Sequence, residues 1–329
     1  MTYIDAKITR EQKKALKAIR AARTKGNLCL FIGAGFSRPF GYPGWHELLR
    51  RVASDPKVGF VDTECIEKEN PLEIAQVLHY EHSRKKNWQA AKSHLKKRGP
   101  AQKSDVQREL DRRFADLCLS KVKSDENRCD KAEIDKLKRL PDLGAKRIFT
   151  MNWDCVLETE VYGPGKIQVL RKGDNCSIAT VCSLPTLFKL HGDMGAPEGL
   201  VFTHTQYFDF LRDAGSLKDV LQETFRKYKK YKVVFLGYSL QDMDVHSIHC
   251  DFLYQYGLAN RSDVQAYFIS SHGHRLGGWR RRFLRTRSIV PVEWAGTLGD
   301  FVAALADGNC SPPCRGRKRI ATGFSPWDG

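Results

Sequence analysis

Three short segments of this chain carry groups able to do chemistry: Gly33-Ala34-Gly35-Phe36-Ser37, Asn152-Trp153-Asp154 and His191-Gly192. Small residues at Gly33, Ala34 and Gly35 let a backbone turn sharply out of a strand and approach a pyrophosphate, with N–H groups and a helix N-terminus aimed at the anion. A histidine titrates near working pH, so His191 is suited to take a proton from a hydroxyl or a water. Asn152 offers a neutral amide, and Asp154 a carboxylate, two residues apart. Each segment also has a plainer reading. A glycine-rich turn serves any tight exit from a strand, Asn152 and Asp154 could cap a helix starting at about Cys155, and a histidine can be a satisfied structural residue.

The surrounding pattern says where these segments sit. Gly33 follows the apolar run Leu28 to Ile32, Asn152 follows Arg147 to Met151, and His191 follows Thr186 to Leu190. All three therefore stand at the ends of buried strands. In an open α/β sheet the carboxyl ends of the strands form the crevice that holds a nucleotide. Most of the ten histidines lack such a setting: His79, His82 and His94 fall in a basic helical region, and His272 and His274 in a glycine-rich turn.

Strands are expected at Leu28 to Ile32, Lys146 to Met151, Lys166 to Leu170, Thr186 to Leu190, Lys232 to Leu236, Val264 to Ser270 and Ser288 to Val292. Helices are expected at Ile8 to Arg23, Trp45 to Val52, Ser216 to Tyr231, Asp244 to Tyr256, Trp279 to Arg285 and Thr297 to Ala306. Strands alternating with helices imply βαβ units. The expected fold is α/β, a Rossmann-like, mostly parallel sheet with an inserted helical subdomain. Its parts are an N-terminal helix (1–26), a nucleotide-binding domain (27–308) with the insert at about 65–140, and a basic, flexible tail (309–329).

Composition bounds the function. With 41% hydrophobic residues the chain can build a real core. The Lys- and Arg-rich start shows no signal pattern, and no stretch approaches the roughly 20 apolar residues of a membrane helix, so the expectation is cytoplasmic, without membrane contact. Ten cysteines are scattered singly, with no paired C-x-x-C spacing, which fits a reducing compartment and no metal. The net charge of +17 is concentrated: residues 84–113 hold eleven Lys or Arg against three acids, and residues 275–287 hold six arginines and no acid. Such surfaces attract nucleic acid or an acidic partner, the alternative being a solvated basic face.

Taken together, Gly33-Ala34-Gly35-x-Ser37, Thr150-Met151-Asn152-Trp153-Asp154, Leu190-His191-Gly192 and Phe235-Leu236-Gly237-Tyr238-Ser239 resemble the sirtuin superfamily. More narrowly, Gly41-Tyr42-Pro43-Gly44-Trp45, the Thr203 to Tyr207 stretch and Gln241-Asp242-Met243-Asp244 look like its bacterial, NAD-hydrolysing branch of the antiphage defence type. The resemblance implies that Gly33, Ala34, Gly35 and Ser37 meet the pyrophosphate, and that Gly237 and Ser239 meet the adenosine half. It further implies that Asn152 holds the nicotinamide ribose and a water, that Asp154 accepts from the nicotinamide carboxamide, and that His191 is the base. A neutral amide suits this bond cleavage, because the oxocarbenium-like centre forms only in the transition state and a charged group would bind the ground state equally. The Gly-Ile-Pro-Asp-Phe-Arg stretch and zinc ribbon of the lysine deacylases are missing. At Ile269-Ser270-Ser271, serines stand where that family places an adenosine-ribose asparagine.

The expected function is therefore a NAD+ glycohydrolase, with NAD+ as substrate, releasing nicotinamide and ADP-ribose as an NAD-depleting effector of prokaryotic antiviral defence. Alternatives are a protein deacylase or ADP-ribosyltransferase, and a module that senses NAD or ADP-ribose. Control is expected through homo-oligomerisation or a separately encoded partner such as a nucleic-acid-directed ATPase, helicase or nuclease, with the basic insert and the tail as contact surfaces.

Overall fold

Leu28-Cys29-Leu30-Phe31-Ile32 is apolar throughout and forms β1 (Leu28–Ile32), buried at every position. A computed structural model of the chain describes residues 10–58, 66, 68–97, 103–122, 124–174, 183–212, 215–227, 230–238, 266–271 and 276–308. Within these, β1 is joined by β2 (Arg147–Thr150), β3 (Gln168–Leu170), β4 (Thr186–Lys189), β5 (Lys232–Leu236), β6 (Ala266–Ser270) and β7 (Ile289–Glu293). The order is β3-β4-β2-β1-β5-β6-β7 with every neighbouring pair parallel. This is the Rossmann-like α/β architecture. The β1 and β5 runs agree with the sequence reading residue for residue, and the other strands differ from it by one or two residues at their ends.

The helices are α1 (Arg10–Thr24), α2 (Trp45–Ala53), α3 (Pro71–His82), α4 (Lys85–Lys96), α5 (Lys103–Lys121), α6 (Lys131–Leu137), α7 (His204–Arg212), α8 (Gly215–Arg226), α9 (Gly278–Thr286) and α10 (Leu298–Ala306). Because successive strand residues face opposite ways, the sheet is covered on both sides. Leu28, Leu30 and Ile32 join Ala15, Leu16 and Ile19 of α1 and Phe301, Val302 and Leu305 of α10 in one core. Cys29 and Phe31 join Phe210 of α7, Leu217, Leu221 and Phe225 of α8 and Leu284 of α9 in the other. Each such aliphatic or aromatic side chain contributes about 1.5–3 kcal/mol by leaving water. The expected helix at Asp244 to Tyr256 and the tail lie outside the described residues.

A third core lies above the sheet's carboxyl edge. Leu48, Leu49 and Val52 of α2, Ile74 and Leu78 of α3, and Phe114 and Cys118 of α5 pack with Trp153 and Phe202. The helical layer thus takes in α2 with α3 and α5, whereas α6, also within the region expected at about 65–140, packs through Leu137 against the first core. The layer's entry and exit touch: the Asp125 N–H donates to Gly41 O at 3.0 Å, and Asp130 N–H to Pro39 O at 2.9 Å. Gly41 has φ +83°, and a Cβ there would strike the Asp125 backbone. That position takes glycine for two reasons, conformation and contact.

Candidate active site

The site is built where the strand order reverses. The chain moves from β1 to β2, β3 and β4 on one side, then crosses to β5 on the other side of β1, which makes the β1/β5 ends the switch point of the sheet. Here three glycines pack backbone to backbone. A Cβ on Gly33 would lie 2.5 Å from Gly237 O, and one on Gly35 2.8 Å from the same atom, while Gly237 itself has φ +61°. The Gly33 N–H donates to Leu236 O at 2.9 Å and the Gly35 N–H to Gly237 O at 2.8 Å.

This corrects the expectation of a free-amide cradle. The Phe36 and Ser37 N–H groups are likewise taken, by Gly33 O and Ala34 O, in a 3-10 turn over Ala34–Phe36 rather than at an α-helix N-terminus. Ala34, exposed at the edge, has no such internal bond among the described residues and is the amide of this turn available to an anion. Glycine is needed at 33, 35 and 237 first for the close crossing of β1 and β5.

Thr150, the last residue of β2, starts the second segment. Its hydroxyl donates to Ile32 O at 2.9 Å and accepts from the Asn152 N–H at 3.0 Å, which turns the chain over the end of β1. The Asn152 Nδ2 then donates to Gly33 O at 3.2 Å and to Ser37 Oγ at 3.1 Å. With both amide hydrogens anchored, its Oδ1 is the atom that can accept from a ribose hydroxyl or water. Ser37 passes the chain of bonds on to the Asp154 carboxylate. Asp154 Oδ1 also accepts from the Val156 N–H at 3.1 Å. The Asp154 side chain thus closes the turn into the next segment, whose N-cap position is Cys155, and the Asn152 side chain takes no part in it. The segment that follows is a π-helical turn, Val156–Val161, not an α-helix. Burial pushes the Asp154 carboxyl above its ordinary pKa, against the pull of the Lys189 ammonium and the Ser37 hydrogen bond.

His191 lies one residue beyond the β4 position bonded to β2, since the Leu190 N–H donates to Thr150 O at 2.9 Å. The residue is 3% exposed, and its ring is held edge-on by Tyr207 at 4.6 Å and Phe210 at 5.5 Å, both on α7. Thr203 and Gln206 fix that helix. The Thr203 hydroxyl accepts from the Gln206 N–H, and Gln206 Oε1 accepts from the Thr203 N–H at 2.9 Å, a capping box legible in the Thr-x-x-Gln spacing. Gly192, at φ +87°, lets the chain pass beside Gly199.

Asn152, Asp154, Ser37 and His191 thus sit together at the ends of three adjacent strands, with Gly33, Ala34, Gly35 and Gly237 at the crossing beside them. Ser239 lies outside the described residues, as do Cys176, Cys182, Cys310 and Cys314. Trp153 points away from this group into the helical core, with ring contacts to Trp45 at 5.7 Å and Phe202 at 5.2 Å.

The residue that sequence reasoning missed is Lys189. Its side chain is 0% exposed, and its Nζ lies 2.7 Å from Asp154 O, 3.2 Å from Trp153 O, 2.9 Å from Glu158 Oε1 and 2.7 Å from Asp193 Oδ2. Cys155, Glu158 and Asp193 offer ligand atoms within 4.8 Å of one another, a spacing a metal ion could use, and the Lys189 ammonium pairs with both of those carboxylates.

Residues 146–292 match the family model described as SIR2-like domain. The matched segment covers less than half of the chain. It spans β2 to β7 and so includes Asn152, Asp154, Lys189 and His191. Among curated proteins, the chain is 23% identical over 249 residues to the NAD(+) hydrolase ThsA of Enterococcus faecium, covering 73% of this chain and 43% of that protein. It is 24% identical over 244 residues to the NAD(+) hydrolase ThsA of Acinetobacter baumannii (strain 532279), covering 72% of this chain and 42% of that one. The chain therefore spans less than half the length of these relatives. No described helix is long and apolar enough to cross a membrane.

Proposed function

We propose that the SIR2-like site hydrolyses NAD+ at the bond between nicotinamide and ribose, releasing nicotinamide and ADP-ribose. The observation that carries this reading is the anchored Asn152 amide, fixed to Gly33 O and Ser37 Oγ with its oxygen left for substrate, on the strand end next to that of His191. As the bond opens, positive charge develops on the ribose, and a prepositioned neutral acceptor stabilises hydroxyls and water there without reorganising. His191 takes the proton that the attacking water loses. The names of the two relatives support the same chemistry.

The test is nicotinamide release by the purified chain given NAD+ and no acylated peptide, run over a range of protein concentrations. Release that stops with Asn152→Ala and with His191→Ala is the expected outcome. Strict dependence on an acyl-lysine peptide points instead to a deacylase, and NAD+ binding without turnover to a sensing module.

We further propose that this activity depletes NAD in antiviral defence and is switched on by self-association or by a separately encoded partner. An enzyme that destroys NAD must be silent until triggered. The basic insert supports a contact with nucleic acid or another polyanion: residues 85–104 contain no acid, and Lys92, Lys96 and Lys97 have no acidic partner among the described residues. A protein that is monomeric and fully active alone sinks the activation proposal, and an NAD pool that stays constant in infected cells sinks the defence role.

A further inference from the structure

Between the two loops that carry Asn152 and His191 lies a buried cation that the reaction itself does not need. We propose that Lys189 is the positioning residue of this site, its ammonium clamping the main chain at Trp153 and Asp154 to the His191 loop. The proposal rests on the NAD-cleavage reading above for what is positioned, and on geometry alone for the clamp.

Lys189 ends β4 in register with Thr150, which ends β2. Its side chain crosses to the neighbouring loop and donates to two successive carbonyls, Trp153 O and Asp154 O. On its other side it is held by Asp193, two residues after His191, and by Glu158 of the π-helical turn. Asp193 is itself fixed by the Gly195 N–H at 2.6 Å and by Arg171 at 3.2 Å. One cation thus joins three pieces of chain that meet at the site. Burial works against its charge, but Glu158 and Asp193 more than offset this and hold its pKa above the ordinary value.

Filling this space with an apolar residue is the simpler way to stabilise a core, since buried charge pairs are often no better than hydrophobic packing. A hydrocarbon, however, leaves the two carbonyls without a donor and the loop without a fixed azimuth. The ammonium sets where the Asp154 carboxylate and the Asn152 amide point. A displacement of about 1 Å in such a loop costs on the order of 100-fold in rate.

The groups facing Asp154 are Lys189 from β4, Glu158 from the π-helical turn, Ser37 from the β1 loop, and Tyr42 and Cys155 close by. Lys189 is the strongest influence holding down its carboxyl pKa.

The experiment compares the full-length wild type with Lys189→Met and with the triple variant Lys189→Met, Glu158→Gln, Asp193→Asn, which keeps the shape and removes the charges. Lys189→Met is expected to lower kcat about 100-fold with little change in KM for NAD+. Amide hydrogen exchange is expected to speed up at residues 152–158 and 193–195 and to stay unchanged in β5 to β7. The triple variant is expected to regain thermal stability without regaining turnover. Turnover restored in the triple variant, or exchange unchanged at 152–158 in Lys189→Met, overturns the proposal. A wild type that neither binds NAD+ nor releases nicotinamide at any protein concentration defeats the NAD-cleavage reading instead, and the exchange data then decide the clamp on their own.

Discussion

At the carboxyl edge of β2 and β4, Lys189 and Asp193 are charged with side chains 0% and 1% exposed. In the helical layer above, Arg108, Arg112 and Arg113 keep their charges outside, paired along α5 with Asp105, Glu109 and Asp116. The layer's interior is apolar around Phe114 except for the rings of His79, which pairs with Asp111, and His82, whose Nδ1 has no partner among the described residues. The two regions touch through Trp153 and Phe202. Their difference shows where charge is buried in this protein: between the two loops that carry Asn152 and His191. The helical layer is held by hydrocarbon, and α2, α3, α4 and α5 carry none of the candidate site residues.

Five experiments break or sharpen that contrast. The largest effect is expected at the edge: His191→Ala should lower nicotinamide release by about 10²–10⁴-fold and Asn152→Ala by about 10²–10³-fold, with the fold retained by circular dichroism. Equal losses from substitutions on α5 would erase the distinction. Next, Trp153→Ala should cost about 3–5 kcal/mol in denaturant unfolding, because a large buried ring leaves a cavity shared by both regions. Third comes acid. Burial, with His79, Lys57 and Arg113 nearby and only Asp55 opposing, pushes His82 down to about 4. Between pH 6.5 and 4 the unfolded chain binds a proton that the folded chain refuses, so stability falls as pH drops through that window, by roughly 2–3 kcal/mol. His82→Gln should flatten this slope in thermal melts.

Fourth, Gly35→Ala should cost about 1–3 kcal/mol, since its Cβ meets the Gly237 backbone, and nicotinamide release should fall with it. An alanine tolerated there would show that the β1/β5 crossing has slack. The smallest effect belongs to Arg112→Ala, about 0.2–1 kcal/mol, as expected of an exposed pair. A larger change in melting temperature would mean that the α5 charges do more than solvate the helix.

Much of the sheet was legible because its strands are continuous apolar runs, β1 and β5 above all. The three segments of the site were legible for the same reason, each standing just after such a run. Lys189 was not. A lysine closing Thr-Leu-Phe-Lys looks like a strand reaching solvent, and only the return of Glu158 and Asp193 to the same point reveals that it is buried. Tyr207 was similarly opaque, because what it does depends on α7 folding back over His191. The glycines were found for a reason that the structure revises: Gly33 and Gly35 make room for Gly237 and give their N–H groups to β5. At Asp154 the turn-closing reading is visible in the bond from the Val156 N–H, and it leaves room for the role that the resemblance implies.

The hydrogen bond from Asp125 to Gly41 has a consequence for how such a protein diversifies. The chain leaves the sheet and comes back at nearly the same point, so the segment between them is a bubble on the main path rather than a link in it. Its length and content can change without lengthening any connection in the sheet. A replacement cassette needs only ends that meet at Gly41 and Asp125 and an apolar underside for Trp153. A different helical layer can thus be carried above the same sheet and the same strand ends.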